Sequence, residues 1–288
     1  MIGRIILAVQ LAAWGLSVPA PAAERVVIAG GDLTEIAFAL GAGDLVVGVD
    51  QTSTYPPAAT ELPQIGYMRR LSAEGVLSLA PDLVIAARDA GPDTVLEQLS
   101  AAGVPVSRAP DAEGPDSIAV KIRFVGDALG EEERAGALAT RIKADLETIA
   151  SRVALLQSRP RVLFVLMVRD GTPMVAGSGT AADQMLRLAG AENAATGFGG
   201  YKPMSREAII SAAPEAVIMM TSHADAAGGI DAVLSRPDLA LTPAGRERLG
   251  VTMEGNLLLG FGPRTPEAVD LLARALHPAT ALLAAGFR

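Results

Sequence analysis

Two stretches of the sequence repeat each other 133 positions apart. The first runs Ser72-Ala73-Glu74-Gly75-Val76-Leu77-Ser78-Leu79-Ala80-Pro81-Asp82-Leu83-Val84-Ile85. The second runs Ser205-Arg206-Glu207-Ala208-Ile209-Ile210-Ser211-Ala212-Ala213-Pro214-Glu215-Ala216-Val217-Ile218. Each reads as one short helix followed by one strand. Ser72 and Ser205 stand where an N-cap belongs, and Glu74 and Glu207 fall in the first turn, where a carboxylate meets the positive end of the helix dipole. Pro81 and Pro214 stop the helix ahead of an apolar, β-branched run. A chain that repeats such a unit is constrained to two similar α/β lobes, and the cleft between lobes is a common place for a small-molecule site.

The rest of the 288-residue chain fits this scheme. Arg25 to Ala29 is a short β-branched strand, Gly30-Gly31-Asp32 turns into a helix over roughly Leu33 to Leu40, and Leu45 to Val49 makes the next strand. Leu83 to Ala87, a helix from Asp93 to Ala102 and a short strand starting at Val104 follow. Continuous apolar strands alternating with helices indicate parallel sheets covered on both faces. From Glu131 to Leu156 the pattern becomes one long helix: Leu138, Ile142, Leu146, Ile149, Val153 and Leu156 fall on a single face. Such a helix would be about 39 Å long, enough to reach from one lobe to the other. Arg161 to Met167 then opens the second lobe as a buried strand, followed by a Gly and Pro loop from Asp170 to Gly179, a helix from Ala181 to Ala189, the second repeat, and a helix from Pro266 to Leu276.

The expected architecture is therefore α/β, with two lobes, each a central and mostly parallel sheet flanked by helices. One long interlobe helix joins them, and the ligand cleft lies between. Residues 23–130 form the first lobe, 131–158 the connecting helix and 159–288 the second lobe. Residues 1–22 read as a secretory signal: Arg4 gives the positive start, Ile5 to Val18 is largely apolar, and Ala20-Pro21-Ala22 supplies small residues at a cleavage point. That apolar run, interrupted by Gln10, is too short to span a bilayer.

Composition removes several functions. The chain has no cysteine, which excludes disulfides, thiolate metal sites, cysteine nucleophiles and a lipoprotein anchor. An exported protein without disulfides suits the bacterial periplasm. Its net charge of −8, with no long basic run, argues against nucleic acid as a partner. Enzyme templates fail as well. His223 and His277 are the only histidines, and neither has a carboxylate at zinc-helix spacing. Gly177-Ser178-Gly179-Thr180 lacks the spacing of a nucleophile elbow, and Gly197-Phe198-Gly199-Gly200 follows no strand and lacks the lysine of a phosphate loop.

One polar cluster remains, Gly66-Tyr67-Met68-Arg69-Arg70, in the loop before the first repeat helix. A tyrosinate is a hard anionic oxygen ligand suited to ferric iron and an established axial ligand of haem. A guanidinium beside it favours the phenolate, and arginine also pairs bidentately with carboxylates such as haem propionates. On chemistry alone the cluster reads as an ordinary surface loop.

The segment Leu62-Pro63-Gln64-Ile65-Gly66-Tyr67-Met68-Arg69-Arg70-Leu71-Ser72-Ala73-Glu74-Gly75-Val76-Leu77 resembles the signature of periplasmic haem-binding proteins that serve bacterial haem ABC importers. The likeness continues through Pro81 to Ala86, Arg161 to Phe164, Thr172 to Gly177, Thr180 to Asp183, Leu241 to Arg246 and Leu259 to Gly262, covering nearly all of the chain after the leader. The first block is the specific part; the Pro-Asp-Leu-Val-Ile block is shared with siderophore and cobalamin carriers of the same broad fold.

This resemblance implies a non-enzymatic, monomeric carrier of ferric haem. Its partners would be the permease dimer of an inner-membrane ABC importer and an outer-membrane haem receptor system upstream. Tyr67 would be the axial iron ligand, Arg69 the arginine that supports its phenolate, and Arg70 a propionate partner. Some family members supply a histidine where this chain reads Met167-Val168-Arg169, so a five-coordinate iron is expected here, with Met167 in the strand core. Tyr201-Lys202-Pro203-Met204 precedes the second repeat helix as the Tyr67 loop precedes the first, which places Tyr201 to stack on the porphyrin and Lys202 or Arg169 to meet a propionate. Glu74 and Glu207 would dock the two permease subunits. His223 is expected in an exposed loop, and lobe movement on binding is expected to be modest. A siderophore or cobalamin carrier is the alternative reading.

Overall fold

The computed structural model of the chain describes residues 23–110 and 114–278. Residues 1–22, expected as a secretory signal, lie outside the described residues.

The first sheet holds four parallel strands in the order β2-β1-β3-β4: β1 Val26–Ala29, β2 Val46–Val49, β3 Leu83–Ala86 and β4 Val106–Arg108. β1 is buried along its whole length and pairs in register with β3 from Val26 opposite Leu83 to Ala29 opposite Ala86. The second sheet is mixed. Its strands are β5 Arg161–Arg169, β6 Thr172–Ala176, β7 Glu192–Asn193, β8 Tyr201–Pro203, β9 Ala216–Met220 and β10 Gly250–Met253, in the order β10-β9-β5-β6-β8, with β7 pairing β5. β10, β9, β5 and β7 run parallel, whereas β6 pairs antiparallel with both β5 and β8.

The repeat folds twice in the same way. Ser72 caps helix Ala73–Leu77 by accepting from Gly75 N at 3.3 Å, and Ser205 caps helix Arg206–Ala212 by accepting from Ala208 N at 3.2 Å. Ala80 and Ala213 both turn at a φ of +45° ahead of their prolines. The acid after each proline then fastens the opening strand of its own sheet: Asp82 accepts from Arg25 N, and Glu215 accepts from Arg161 N.

The long helix runs over Glu132–Val153 and buries Leu138, Ile142, Ile149 and Val153 of the predicted face. It packs on helix Pro115–Leu129, which follows the first sheet, and on helix Thr265–Leu276, which follows the second. One apolar cluster runs continuously from the first sheet, through Val26, Ile28 and Ile85, along this helix, to Val162, Phe164, Ile218 and Leu272 of the second lobe. Among the described residues no helix is long and apolar enough to cross a membrane.

Two expected loops are strands instead. The Gly and Pro stretch after β5 contains β6, in which the Pro173 carbonyl accepts from Met204 N at 3.0 Å. Tyr201–Pro203, expected as a loop, adds to the open edge of β6 as β8, with Ala176 opposite Tyr201 and Val175 opposite Lys202. His223, expected in an exposed loop, lies half-buried in helix Thr221–Ala226.

Candidate ligand-binding site

The loop that carries Tyr67 is held on both sides by backbone bonds to the ends of strands in the first sheet. After β2, Gln51 N donates to Gly66 O at 2.9 Å. After β3, Gly91 N donates to Met68 O at 2.8 Å and Leu71 N donates to Gly91 O at 2.9 Å. Gly66 has a φ of +90°, a conformation that a side chain disfavours, and it sets the turn that presents Tyr67.

Beneath the loop sits Asp50, fully buried at the end of β2. Its carboxylate accepts from Gly30 N at 2.9 Å, Thr52 N at 3.0 Å, the Thr52 and Ser53 hydroxyls, and Met68 N at 3.3 Å. Burial pushes its carboxyl above the ordinary range, and these donors pull it back. One acid thus joins the ends of β1 and β2 to the residue next to Tyr67.

Tyr67 itself is half-buried at the head of the short 3-10 turn Met68–Arg70. Arg69 Nη1 donates to its phenol oxygen at 3.2 Å, and the Arg69 and Arg70 guanidinium carbons lie 6.0 and 5.7 Å from its ring centre. Both arginines are exposed. Partial burial works against the Arg69 charge, but Asp89 and Tyr67 outweigh it and hold that guanidinium above its ordinary pKa.

From the second lobe, Tyr201 comes within electrostatic reach of Arg69. Its ring stacks edge-on against Phe164 at 6.4 Å between centres. Burial pushes the Tyr201 phenol up, opposed by Thr180, the Ala182 N–H and the Arg69 charge. The Tyr201 ring thus presents an apolar face braced by Phe164.

The other predicted residues are spread wider. Lys202, exposed on β8, lies 5.7 Å from the Phe198 ring centre. Arg169 is exposed at the end of β5, opposite Thr172. Met167, expected in the strand core, instead helps line a cavity of about 310 Å3 with Val168, His223, Ala226, Ala227 and Arg236. An open groove of about 520 Å3 beside β4 is lined by Asp93, Leu96, Glu97, Ser100, Val106 and Arg108. Tyr67 lines neither. Glu74 and Glu207 are both exposed in the first turns of the two matched helices.

Sequence reasoning missed Asp50 and Asp89 at the site. Asp50 carried a readable signal, an acid directly after a buried β-branched strand, where a free carboxylate is too costly to bury without donors.

Among the described residues no group of three or more His, Cys, Asp or Glu is assembled to hold a bare metal ion. What the site offers is one phenol oxygen with two flanking cations, one of them within electrostatic reach of Tyr201 on the second lobe.

A family model described as periplasmic binding protein matches residues 26–254. The chain belongs to that family. Three similar proteins place this periplasmic binding protein more narrowly. The periplasmic heme-binding protein RhuT of Roseiflexus sp. RS-1, in apo form, superposes with a TM-score of 0.86 at 43% identity, covering 89% of this chain and 98% of that one. The periplasmic heme-binding protein BhuT, in complex with two hemes, superposes with a TM-score of 0.84 at 45% identity, covering 88% and 98%. A vitamin B12-binding protein of Yersinia pestis (strain Pestoides F) is 31% identical over 207 residues, 71% of this chain and 72% of that one. This periplasmic binding protein is a substrate-binding protein of the haem, siderophore and vitamin B12 type, with two lobes as expected.

Proposed function

We propose that this protein captures ferric haem between its lobes through Tyr67 and hands it to the permease dimer of an ABC importer, without making or breaking covalent bonds in the tetrapyrrole. The observation that carries this reading is the Arg69 N–H directed at the Tyr67 phenol oxygen at 3.2 Å, on a loop braced from two strand ends. The likeness of the whole chain to heme-binding proteins at 43 and 45% identity supports it.

In this reading Tyr67 gives up its proton on binding iron, as metal ligands must, and Arg69 supports the oxygen that remains. Arg70, exposed beside the same ring, takes a propionate, and Arg169 and Lys202 are further cations for that task. Tyr201 packs its ring on the porphyrin. Met167 and Val168 offer iron no imidazole, so the ferric ion is five-coordinate. Glu74 and Glu207, on equivalent helices, meet cationic groups on the two permease subunits. Residues 1–22 direct export to the periplasm, and residues 131–158 connect lobes formed by 23–130 and 159–288.

The test is a hemin titration of the purified chain. An intense Soret band of high-spin ferric character is expected, with affinity lost by more than about 100-fold in Tyr67→Phe, since even partners behind a metal ligand are worth 10- to 100-fold. Undiminished binding by Tyr67→Phe removes Tyr67 from the account. The vitamin B12-binding relative favours cobalamin as the competing cargo; a chain that ignores hemin and binds cobalamin or a ferric siderophore establishes that reading instead.

A further inference from the structure

We infer that Asp89 is a positioning residue for the Tyr67 ligand, acting through Arg69. The inference rests on the haem reading of the site and deepens it. Asp89 lies in the turn after β3, the same turn whose Gly91 brackets the Tyr67 loop. That turn is pinned to the sheet: Ala87 N donates to Ala29 O at 2.7 Å and Ala90 N to Ala87 O at 3.0 Å. Asp89 is thus a fixed point, set by the strand end and not by the loop it serves.

Asp89 Oδ2 accepts from two nitrogens of Arg69, Nε at 2.6 Å and Nη2. A guanidinium is a rigid planar fork, so holding it along one edge fixes the direction of its remaining nitrogen. That nitrogen, Nη1, is the one that donates to the Tyr67 phenol oxygen. Without Asp89, the long, rotamer-rich Arg69 side chain would have to be ordered by its bond to Tyr67 alone.

Stability is a poor explanation for this pair. The Arg69 and Asp89 side chains are 56% and 47% exposed, and exposed ion pairs contribute little to folding. Its geometry points elsewhere, to a direction imposed on one N–H. The arrangement also divides labour between the arginines. Arg69 has its charge balanced by Asp89 and serves the iron side, while Arg70, stacked near the Tyr67 ring with its charge facing solvent, serves an anionic edge of the ligand.

The experiment uses the full mature chain and hemin, with Asp89→Asn, Asp89→Glu, Arg69→Ala, the double variant Asp89→Asn/Arg69→Ala, and Tyr67→Phe. Asp89→Asn is expected to bind hemin about 3- to 10-fold more weakly, the scale of one ordinary hydrogen bond. Its phenolate-to-iron charge-transfer band should shift while its melting temperature stays that of the parent, and Asp89→Glu should restore both affinity and band. In the Arg69→Ala background Asp89→Asn should change nothing further, because residues acting as one unit are not additive. Additive losses in the double variant, or an unmoved charge-transfer band in Asp89→Asn, overturn the proposal. Tyr67→Phe separates the two levels: if it binds hemin normally the haem reading fails, and if it loses binding while Asp89→Asn behaves like the parent, only the role of Asp89 fails.

Discussion

Glu35 and Arg264, 229 positions apart, meet in a two-point ion pair in which Arg264 N and Nε donate to the two Glu35 carboxylate oxygens at 3.0 and 2.9 Å. Glu35 lies on helix Gly31–Ala39 of the first lobe, and Arg264 precedes the last helix of the second. Arg264 also stacks over Tyr55 at 3.7 Å. Beside it, Lys121 Nζ joins Asp32 at 2.6 Å to the Gly260 carbonyl at 2.7 Å. The lobes are thus fastened by buried charges as well as by shared apolar packing. Removing one partner of a buried pair strands the other, so Glu35→Ala should lower stability by about 3–5 kcal/mol in denaturant titrations. With the pair intact, scattering profiles with and without hemin should nearly coincide, and a large compaction on binding would contradict this fastening.

Asp50 makes a different prediction, because it serves both fold and site. Asp50→Ala leaves buried donors at Gly30, Thr52 and Met68 without their acceptor. The expected cost is about 3 kcal/mol, since each unsatisfied buried group costs about 1–3 kcal/mol and water recovers part of it. Hemin affinity should fall with it as the Tyr67 loop loosens. Asp50→Asn, which keeps one acceptor oxygen, should lose less of both; equal losses would show that charge, not acceptance, is what the loop requires.

His277 sets a pH dependence. Burial holds its imidazole below the ordinary 6.5, with Arg159 adding to the effect and the backbone carbonyls of Ala189 and Gly190 opposing it. The folded state therefore takes a proton less readily than the unfolded chain. Stability from this group is complete above about pH 6.5 and is lost as pH falls through the lower, folded value. His223 shifts in the same direction by burial. Glu35 and Asp50, raised by burial, carry the opposite sign. Between pH 7.5 and 5, His277→Gln should show a shallower fall in stability than the parent, by at most about 1.4 kcal/mol per pH unit. Parallel profiles would remove His277 as the cause.

Gly31 is a steric test of how tightly the lobes meet. A Cβ there would run into the Thr52 carbonyl and come within 3.1 Å of the Asn256 side chain from the second lobe. Gly31→Ala should therefore destabilise by about 1–3 kcal/mol, as overpacking does. A neutral variant would show that this contact yields.

Local signals carried most of the fold. Serine caps, first-turn acids and prolines located both repeat helices, and the spacing from Leu138 to Val153 located the long helix, because capping and periodicity are written within a few residues. Pro173 misled, since a proline in a strand is disfavoured, and the strand that pairs with this segment, Tyr201–Pro203, is distant in sequence. Tyr67 and Arg69 were legible because they are two residues apart. Asp89 was not: it reaches Arg69 across 20 positions, from a turn with no periodic pattern. Glu35 gave still less, as an ordinary helix acid whose partner lies near the other end of the chain.

The apolar cluster that threads from Val26 to Leu272 is one interior shared by both halves, beside a smaller cluster around Leu163, Val217 and Leu239 that belongs to the second half alone. Heat should consequently melt the molecule in a single calorimetric event, with van't Hoff and calorimetric enthalpies in agreement. A fragment severed at the long helix should aggregate, because it bares its share of that common interior to water.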